Sequence, residues 1–188
     1  MVLAFLGGCY ALFAYLMQIG VNEGYEPVQP IHFSHKIHAG DNQIDCQYCH
    51  SGARSSAMAA VPSLNVCMDC HKTISEYEGE EDLAQGYTKA FYTAEIKKLY
   101  AAAGWDEQQF KYTGKPQGVQ WVRIHKLPDF TYFNHSQHVK VAGLDCQQCH
   151  GEVPKMEVMR QHAPLTMGWC IECHRTQKVS TECAKCHY

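Results

Sequence analysis

An eighteen-residue stretch that occurs twice constrains this chain more than any other feature. Residues 33–50 read FSHKIHAGDNQIDCQYCH, and residues 133–150 read FNHSQHVKVAGLDCQQCH. The two copies have the same length and share eight residues, including an opening phenylalanine and the two histidines that follow it. Both copies end in C-x-x-C-H, which is the attachment signature of a c-type haem. The duplication therefore predicts two modules that each begin with a haem-attachment site.

The C-x-x-C-H sequence occurs five times, and its spacing follows from the chemistry of haem attachment. Two thiols bind the haem vinyl groups as thioethers, and the next histidine reaches the iron from one face. The predicted attachment residues are Cys46, Cys49, Cys67, Cys70, Cys146, Cys149, Cys170, Cys173, Cys183 and Cys186. The predicted proximal ligands are His50, His71, His150, His174 and His187. Zinc knuckles need no histidine after each second cysteine, so we predict five covalently bound haem c groups.

Spare histidines outnumber the predicted irons, which favours ligation by two histidines at most sites. The seven are His32, His35, His38, His125, His135, His138 and His162. Two histidines saturate the iron and keep it low-spin, which suits electron transfer and leaves no position for a substrate. We expect His32 to lie on the surface or beside a ligand rather than on an iron.

Composition agrees with a chain built around cofactors. Only Cys9 lies outside the five motifs, so the cysteines predict no disulfide framework. One haem for about every 38 residues predicts that the macrocycles supply much of the buried apolar surface and that the apo form is largely unfolded. The formal net charge is −3, and five ferric haems would bring it to about −8. That charge argues against nucleic acid as a partner.

Residues 2–19 form an uncharged run rich in leucine, alanine and aromatic residues. As a helix this run would be about 27 Å long, close to a bilayer hydrocarbon thickness of about 30 Å. A cleaved signal peptide would show a basic start and a small-x-small cleavage site, and neither is clear. We expect residues 1–21 to be a single-pass anchor in the inner membrane, with the haem domain in the periplasm. Residues 22–30 are predicted to form an extended connector between this anchor and the haem domain.

The motifs divide the rest of the chain into three parts. Residues 31–72 hold two motifs and predict a dihaem module. Residues 73–120 hold none and predict a haem-free helical spacer, in which the acidic run at 75–82 is expected to be a solvated loop. Residues 121–188 hold three motifs and predict a trihaem module.

One helix of the spacer is predicted by its periodicity. Ile96, Leu99, Tyr100 and Ala103 recur at helical spacing, and Gly104 follows as a stop, so we expect about ten helical residues. Strand-like alternation is nowhere long enough to propose a sheet. The expected fold class is mostly α and irregular, with short helices and loops wrapped on five haems.

The start of each repeat, F-x-H-x-x-H before C-x-x-C-H, resembles the small multihaem cytochromes of the c3/c7 type. In that family the first histidine binds the iron of the nearest motif, and the second binds that of a neighbouring motif. The resemblance therefore implies c3/c7-like modules with four distal ligands. These are His35 for residues 46–50, His38 for 67–71, His135 for 146–150 and His138 for 170–174.

The sixth ligand at the last motif is left open. In the three-haem cytochromes of this type it lies between the first two motifs, an interval that here contains one histidine and three methionines. A histidine just before the second repeat is another contender, and a methionine would raise the potential of that haem. The candidates are His125, His162, Met156, Met159 and Met167.

The order of elements over nearly the whole chain resembles the pentahaem cytochrome c subunit of bacterial alternative complex III, a quinol-oxidising respiratory complex. The matching features are the apolar N-terminal run, QPIHFSHKIHAG, two motifs, WVRIHKLPDFTYFNHSQH, and three motifs with PLTMGWCIECHR. The resemblance implies a non-enzymatic electron-transfer subunit of a membrane complex. The implied partners are an iron–sulfur subunit, polytopic quinol-binding subunits and a monohaem cytochrome c.

We expect a membrane-anchored relay that carries electrons from quinol oxidation to a cytochrome c or a terminal oxidase. Two other functions are weighed against it. A stand-alone quinol dehydrogenase of the tetrahaem-anchor type would need a quinol pocket, and one short span offers little surface for it. A multihaem oxyanion reductase would need an iron with an open position, which ligation by two histidines does not leave.

Overall fold

The computed structural model describes residues 2–17 and 19–187, where the regular elements are short helices joined by long irregular segments. This confirms the mostly helical and irregular class. The α-helices are α1 (Val2–Met17), α2 (Cys46–Cys49), α3 (Leu64–His71), α4 (Lys89–Ala103), α5 (Gln147–His150) and α6 (Met167–Thr176). Met1 and Gln18 of the predicted anchor, and Tyr188 of the predicted trihaem module, lie outside the described residues.

A small hairpin after α4 corrects the expectation that the chain has no sheet. Strand β1 (Trp105–Asp106) pairs antiparallel with β2 (Lys111–Tyr112). The Asp106 carboxylate accepts hydrogen bonds from the backbone N–H groups of Gln108 and Gln109, both at 3.0 Å, which stabilises the turn. Each strand has two residues, too few for alternation to reveal it in the sequence.

Helix α1 is apolar and has sixteen residues, and large side chains such as Phe13, which is 62% exposed, project from it. Across residues 2–17 and 19–187, the helices do not reach the combined length and hydropathy of a membrane span. The single-pass anchor therefore stays a prediction.

The two repeats adopt the same local structure. Each begins with a π-helical turn, an uncommon element that often occurs at functional sites. In both turns the opening phenylalanine stacks on the second histidine, with ring centroids 4.3 Å apart for Phe33 and His38 and 4.4 Å apart for Phe133 and His138. The turns are Lys36–Asp41 and Gln137–Val141. The repeated sequence thus encodes a repeated conformation in which each histidine ring is held by its own phenylalanine.

The repeats also pack on each other reciprocally. The backbone N–H of Lys36 donates to the carbonyl of Met156 at 2.9 Å, and that of Ser136 donates to the carbonyl of Ser56 at 3.1 Å. Each bond joins the π-helical turn of one repeat to the segment that follows the motif of the other. The two bonds join equivalent positions of the two repeats. The contact therefore resembles the two-fold interface of a symmetric dimer, although both halves belong to one chain.

Single 3₁₀ turns follow α2 and α5, and another forms the start of the last motif. They are Ser51–Arg54, Val153–Lys155 and Cys183–Lys185. The second of them packs against the π-helical turn of the first repeat. At the closest point a Cβ atom on Gly40 would overlap the carbonyl of Pro154, so this approach requires glycine.

The predicted spacer helix is confirmed as α4, which has fifteen residues and therefore begins earlier than expected. The hydroxyl of Thr88 accepts a hydrogen bond from the N–H of Phe91 at 3.1 Å and caps its start. Gly104 ends it with a φ of 67°, a left-handed conformation that favours glycine. Its inner face packs Leu99 and Tyr100 on Met68 of α3, and the Tyr100 hydroxyl donates to the carbonyl of His71 in the second motif.

A half-buried carboxylate, Glu157, joins the two modules to the spacer. It accepts hydrogen bonds from the Ser34 hydroxyl at 2.8 Å, from His32 Nε2 at 2.9 Å and from the Tyr92 hydroxyl at 2.6 Å. Burial opposes its ionisation, but these three donors hold the pKa of Glu157 below the ordinary value. His32 is thus largely inside this network, with 16% of its side chain exposed, rather than on the surface.

We predict that Tyr92→Phe lowers the free energy of unfolding by about 1.5–3 kcal/mol, because it removes one donor to an ionised acceptor and leaves the ring in place. Guanidinium unfolding of the purified protein measures the change. The matched control is Tyr112→Phe, at a tyrosine that is 44% exposed, which should shift stability by less than about 0.5 kcal/mol. Equal effects of the two substitutions would contradict the role given to Glu157.

Candidate haem sites

Four pairs of histidine rings face each other at nearly constant separation. The centroid distances are 6.5 Å for His35 and His50, 6.1 Å for His38 and His71, 6.4 Å for His135 and His150, and 6.2 Å for His138 and His174. A metal ion bound by Nε2 of two imidazoles, with bonds of about 2 Å, places their centroids about 6.3 Å apart. Each gap therefore has the width of one iron with two axial histidines.

The structure thus brings together each proximal histidine and the distal histidine expected for it at four of the five motifs. In both repeats the first pair is almost parallel, with interplanar angles of 11° for His35 and His50 and 5° for His135 and His150. Across residues 2–17 and 19–187, no three or more His, Cys, Asp or Glu side chains converge on one point as metal ligands. Two protein ligands per site is the number that a haem, which supplies four nitrogens, requires.

Backbone carbonyls orient most of these rings by accepting from Nδ1. The proximal acceptors are Ala60 for His50 at 2.6 Å, Ile74 for His71 at 3.0 Å, Ser180 for His174 at 2.9 Å and Phe130 for His187 at 3.3 Å. The distal acceptors are Ser34 for His38 at 2.8 Å, Asn134 for His138 at 2.8 Å and Ala57 for His135 at 2.9 Å. A proton on Nδ1 leaves the Nε2 lone pair free, so the tautomer matches ligation of iron.

Burial keeps the rings of His35 and His150 neutral, one in the first pair of each repeat. Desolvation lowers the pKa of His35 to about 4, and neighbouring histidines act in the same direction. The same cause, with His125 and His135 nearby, lowers the pKa of His150 to about 4. A neutral imidazole is the form that binds a metal. Within the described residues, Nδ1 of His35 is buried without a hydrogen-bond partner, unlike its counterpart His135.

Cysteines of different motifs are neighbours, and their thiols mark where haem thioethers would lie. The neighbours are Cys49 and Cys70, Cys46 and Cys146, Cys149 and Cys173, and Cys170 and Cys186. Burial first and these neighbours second raise the pKa of the thiols of Cys49, Cys146, Cys149 and Cys170. The first motif therefore neighbours the second and the third, and the fourth motif neighbours the third and the fifth.

At the last motif the structure gives His187 a different neighbour. Its ring packs on Phe130, 5.7 Å between centroids, whose carbonyl also accepts from Nδ1. Of the candidates for the sixth ligand, His162 is exposed and lies against Gly151, and Met156 is buried near the first repeat. Met159 is half-buried.

Two further candidates have other positions. His125 lies against His150, with centroids 4.5 Å apart, and Met167 is 66% exposed at the start of α6. The sixth ligand of this site stays open. Sequence reasoning also missed the carbonyls that orient the rings, because a backbone acceptor can belong to any residue type.

Paired histidines at iron spacing, each next to a C-x-x-C-H motif, define the class of multihaem c-type cytochromes. The family described as cytochrome c7 and related cytochrome c matches residues 31–90 and 131–188, together more than half of the chain. The chain belongs to this family. Covalently bound haem c is therefore its cofactor, and electron transfer is the role of its class.

One curated relative adds detail. The chain is similar to the protein named menaquinone reductase, multiheme cytochrome c subunit, of Nitratidesulfovibrio vulgaris (strain Hildenborough), with 32% identity over 123 residues. The alignment covers 65% of this chain and 45% of the relative. This chain therefore matches less than half the length of that protein.

We predict that His135→Ala converts one haem to a high-spin form that binds carbon monoxide, because it removes the ring opposite His150. It should also lower the thermal midpoint, since His135 donates to the Ala57 carbonyl of the first module. Electron paramagnetic resonance and visible spectra measure the spin state. Gln137→Ala, an exposed position in the same turn, is the control and should leave all haems low-spin. An unchanged low-spin spectrum and unchanged potentials in His135→Ala would rule out this ligand.

Proposed function

We propose that this chain is a membrane-anchored cytochrome with five haem c groups that relays electrons between a quinol-oxidising respiratory complex and a cytochrome c or terminal oxidase. The observation that carries the proposal is the set of four histidine pairs separated by 6.1–6.5 Å. Two axial histidines fill both open positions of an iron, which favours electron transfer over binding of a substrate.

Haem supplies the one-electron couple, and the chain's own residues do the rest. The cysteines of the five motifs fix each macrocycle, and the motif histidines bind one face of the iron. We assign the opposite faces to His35, His38, His135 and His138. Stacked phenylalanines and backbone carbonyls hold His38 and His138 in place, and the Ala57 carbonyl orients His135. The neighbouring cysteines of successive motifs support a continuous series of haems through which electrons would pass.

The membrane part of the proposal concerns residues 1–21 and the partners. The uncharged run at residues 2–19 supports a single-pass anchor in the inner membrane, with the haem domain on the periplasmic side. The relative's name connects such a cytochrome subunit with menaquinone chemistry. A relay works in either direction, and the potentials of its partners decide which. The order of elements resembles that of the pentahaem subunit of alternative complex III. On that resemblance we propose alternative complex III, with its iron–sulfur, quinol-binding and monohaem cytochrome subunits, as the assembly.

The number of haems can be tested by removing one attachment site. Cys183→Ala combined with Cys186→Ala should lower the haem content from five to four per chain, measured by intact mass and the pyridine haemochrome assay. Cys9→Ala is the matched control, because Cys9 is the cysteine outside the motifs, and it should keep five. A count that the double substitution does not change would contradict attachment at the last motif.

The relay can be tested by purifying the chain from membranes in mild detergent. With polytopic subunits bound, we expect a menaquinol analogue to reduce the haems, because those subunits would carry the quinol pocket. The chain freed of its partners should stay oxidised under the same conditions. Reduction of the isolated chain would instead support a stand-alone quinol dehydrogenase, and a high-spin haem in the unsubstituted protein would support a reductase.

A further inference from the structure

One proximal histidine is oriented differently from the other four. Nδ1 of His150 lies 3.2 Å from Nε2 of His125, whereas the other four donate to backbone carbonyls. The two rings are nearly perpendicular, at 84°, with centroids 4.5 Å apart. This edge-on geometry is that of a hydrogen bond between imidazoles rather than of two rings on opposite sides of an iron.

The donor and the acceptor follow from the role of His150. Its ring lies 6.4 Å from that of His135, and as a haem ligand it would bind iron through Nε2, so Nδ1 carries the proton and donates it to the hydrogen bond. Nε2 of His125 is then the acceptor, and the proton of that ring is on Nδ1. The lone pair of His125 is engaged by His150 and is not available to an iron.

In the first repeat, the proximal histidine has a backbone carbonyl as its acceptor instead of a histidine. His50 corresponds to His150, and its Nδ1 donates to the carbonyl of Ala60 at 2.6 Å. The facing partners, His35 and His135, correspond as well, and the repeats contact each other reciprocally. The acceptor on the proximal histidine is therefore one chemical difference between the two iron sites. The other is on the facing histidine, since among the described residues Nδ1 of His35 has no partner and Nδ1 of His135 donates to the Ala57 carbonyl.

We propose that His125 is a positioning residue for His150 and not an axial ligand of any haem, and that it sets the potential of the second repeat's haem apart from that of the first. The proposal rests on the haem ligation given under the proposed function. An acceptor on Nδ1–H increases electron donation from the ring to the iron and so stabilises the ferric state. Its loss should raise the potential of that haem.

The test compares three full-length variants by redox titration and electron paramagnetic resonance. His125→Leu removes the acceptor, and we expect one haem to shift to higher potential while all haems stay low-spin. His125→Gln places an amide oxygen near the lost nitrogen, and we expect the potential to return towards the unsubstituted value. Lys126→Arg, at the exposed neighbouring position, should shift nothing. If His125→Leu does not accumulate, His125→Phe removes the acceptor with a ring of similar size.

Two outcomes would overturn the proposal. A new high-spin haem in His125→Leu would show that His125 is an iron ligand. Unchanged potentials in both the leucine and phenylalanine variants would show that the contact does not affect the iron. The haem count and the spin states of the unsubstituted protein test the five-haem relay separately. A shifted haem in a protein with fewer than five haems would therefore keep this proposal and reject the other.

Discussion

The fold depends on holding the two imidazole rings of each pair 6.1–6.5 Å apart, the separation that one iron with two histidine ligands requires. Each ring needs its own support, because neither can pack on its partner. The π-helical turns provide that support twice, through the phenylalanine stacked on His38 or His138 and the carbonyl four residues before that histidine. Protein-only packing is small by comparison, centred on Met68, Leu99 and Tyr100. Much of what separates and fixes the segments must therefore be the cofactor.

The reciprocal contact of the repeats explains how separate haem modules become one path. Lys36 bonds to Met156 and Ser136 to Ser56, so each π-helical turn is tied to the segment behind the other motif. That arrangement brings Cys46 beside Cys146, at the boundary between the modules. Electron transfer needs short distances between cofactors, and the boundary of the modules is where such a path would most easily be broken. Here hydrogen bonds between the two repeats cross that boundary.

The features that could be predicted from the sequence are those that depend on side-chain identity and periodicity. The motifs, the pairing of histidines three residues apart, and helix α4 with its stop at Gly104 all have side-chain signatures. The two-residue strands, the carbonyls of Ala57 and Ala60, and the reciprocal packing have none, because backbone groups are the same in every residue. In the sequence, His125 could be recognised only as one of the seven histidines outside the motifs. Its position beside His150 depends on the path of the chain before the second repeat, which no local pattern encodes.

Duplication alone would give two central iron sites with the same surroundings and hence no preferred direction between them. The chain between the repeats contributes two of the differences between these sites. Tyr92 of α4 bonds to Glu157 on one side of the pair, and the first repeat has no such partner after its own motif among the contacts described. His125 then replaces a carbonyl as the acceptor for one proximal histidine. The residues between the repeats therefore do more than connect them, since they distinguish two sites that the repeated sequence would otherwise make alike.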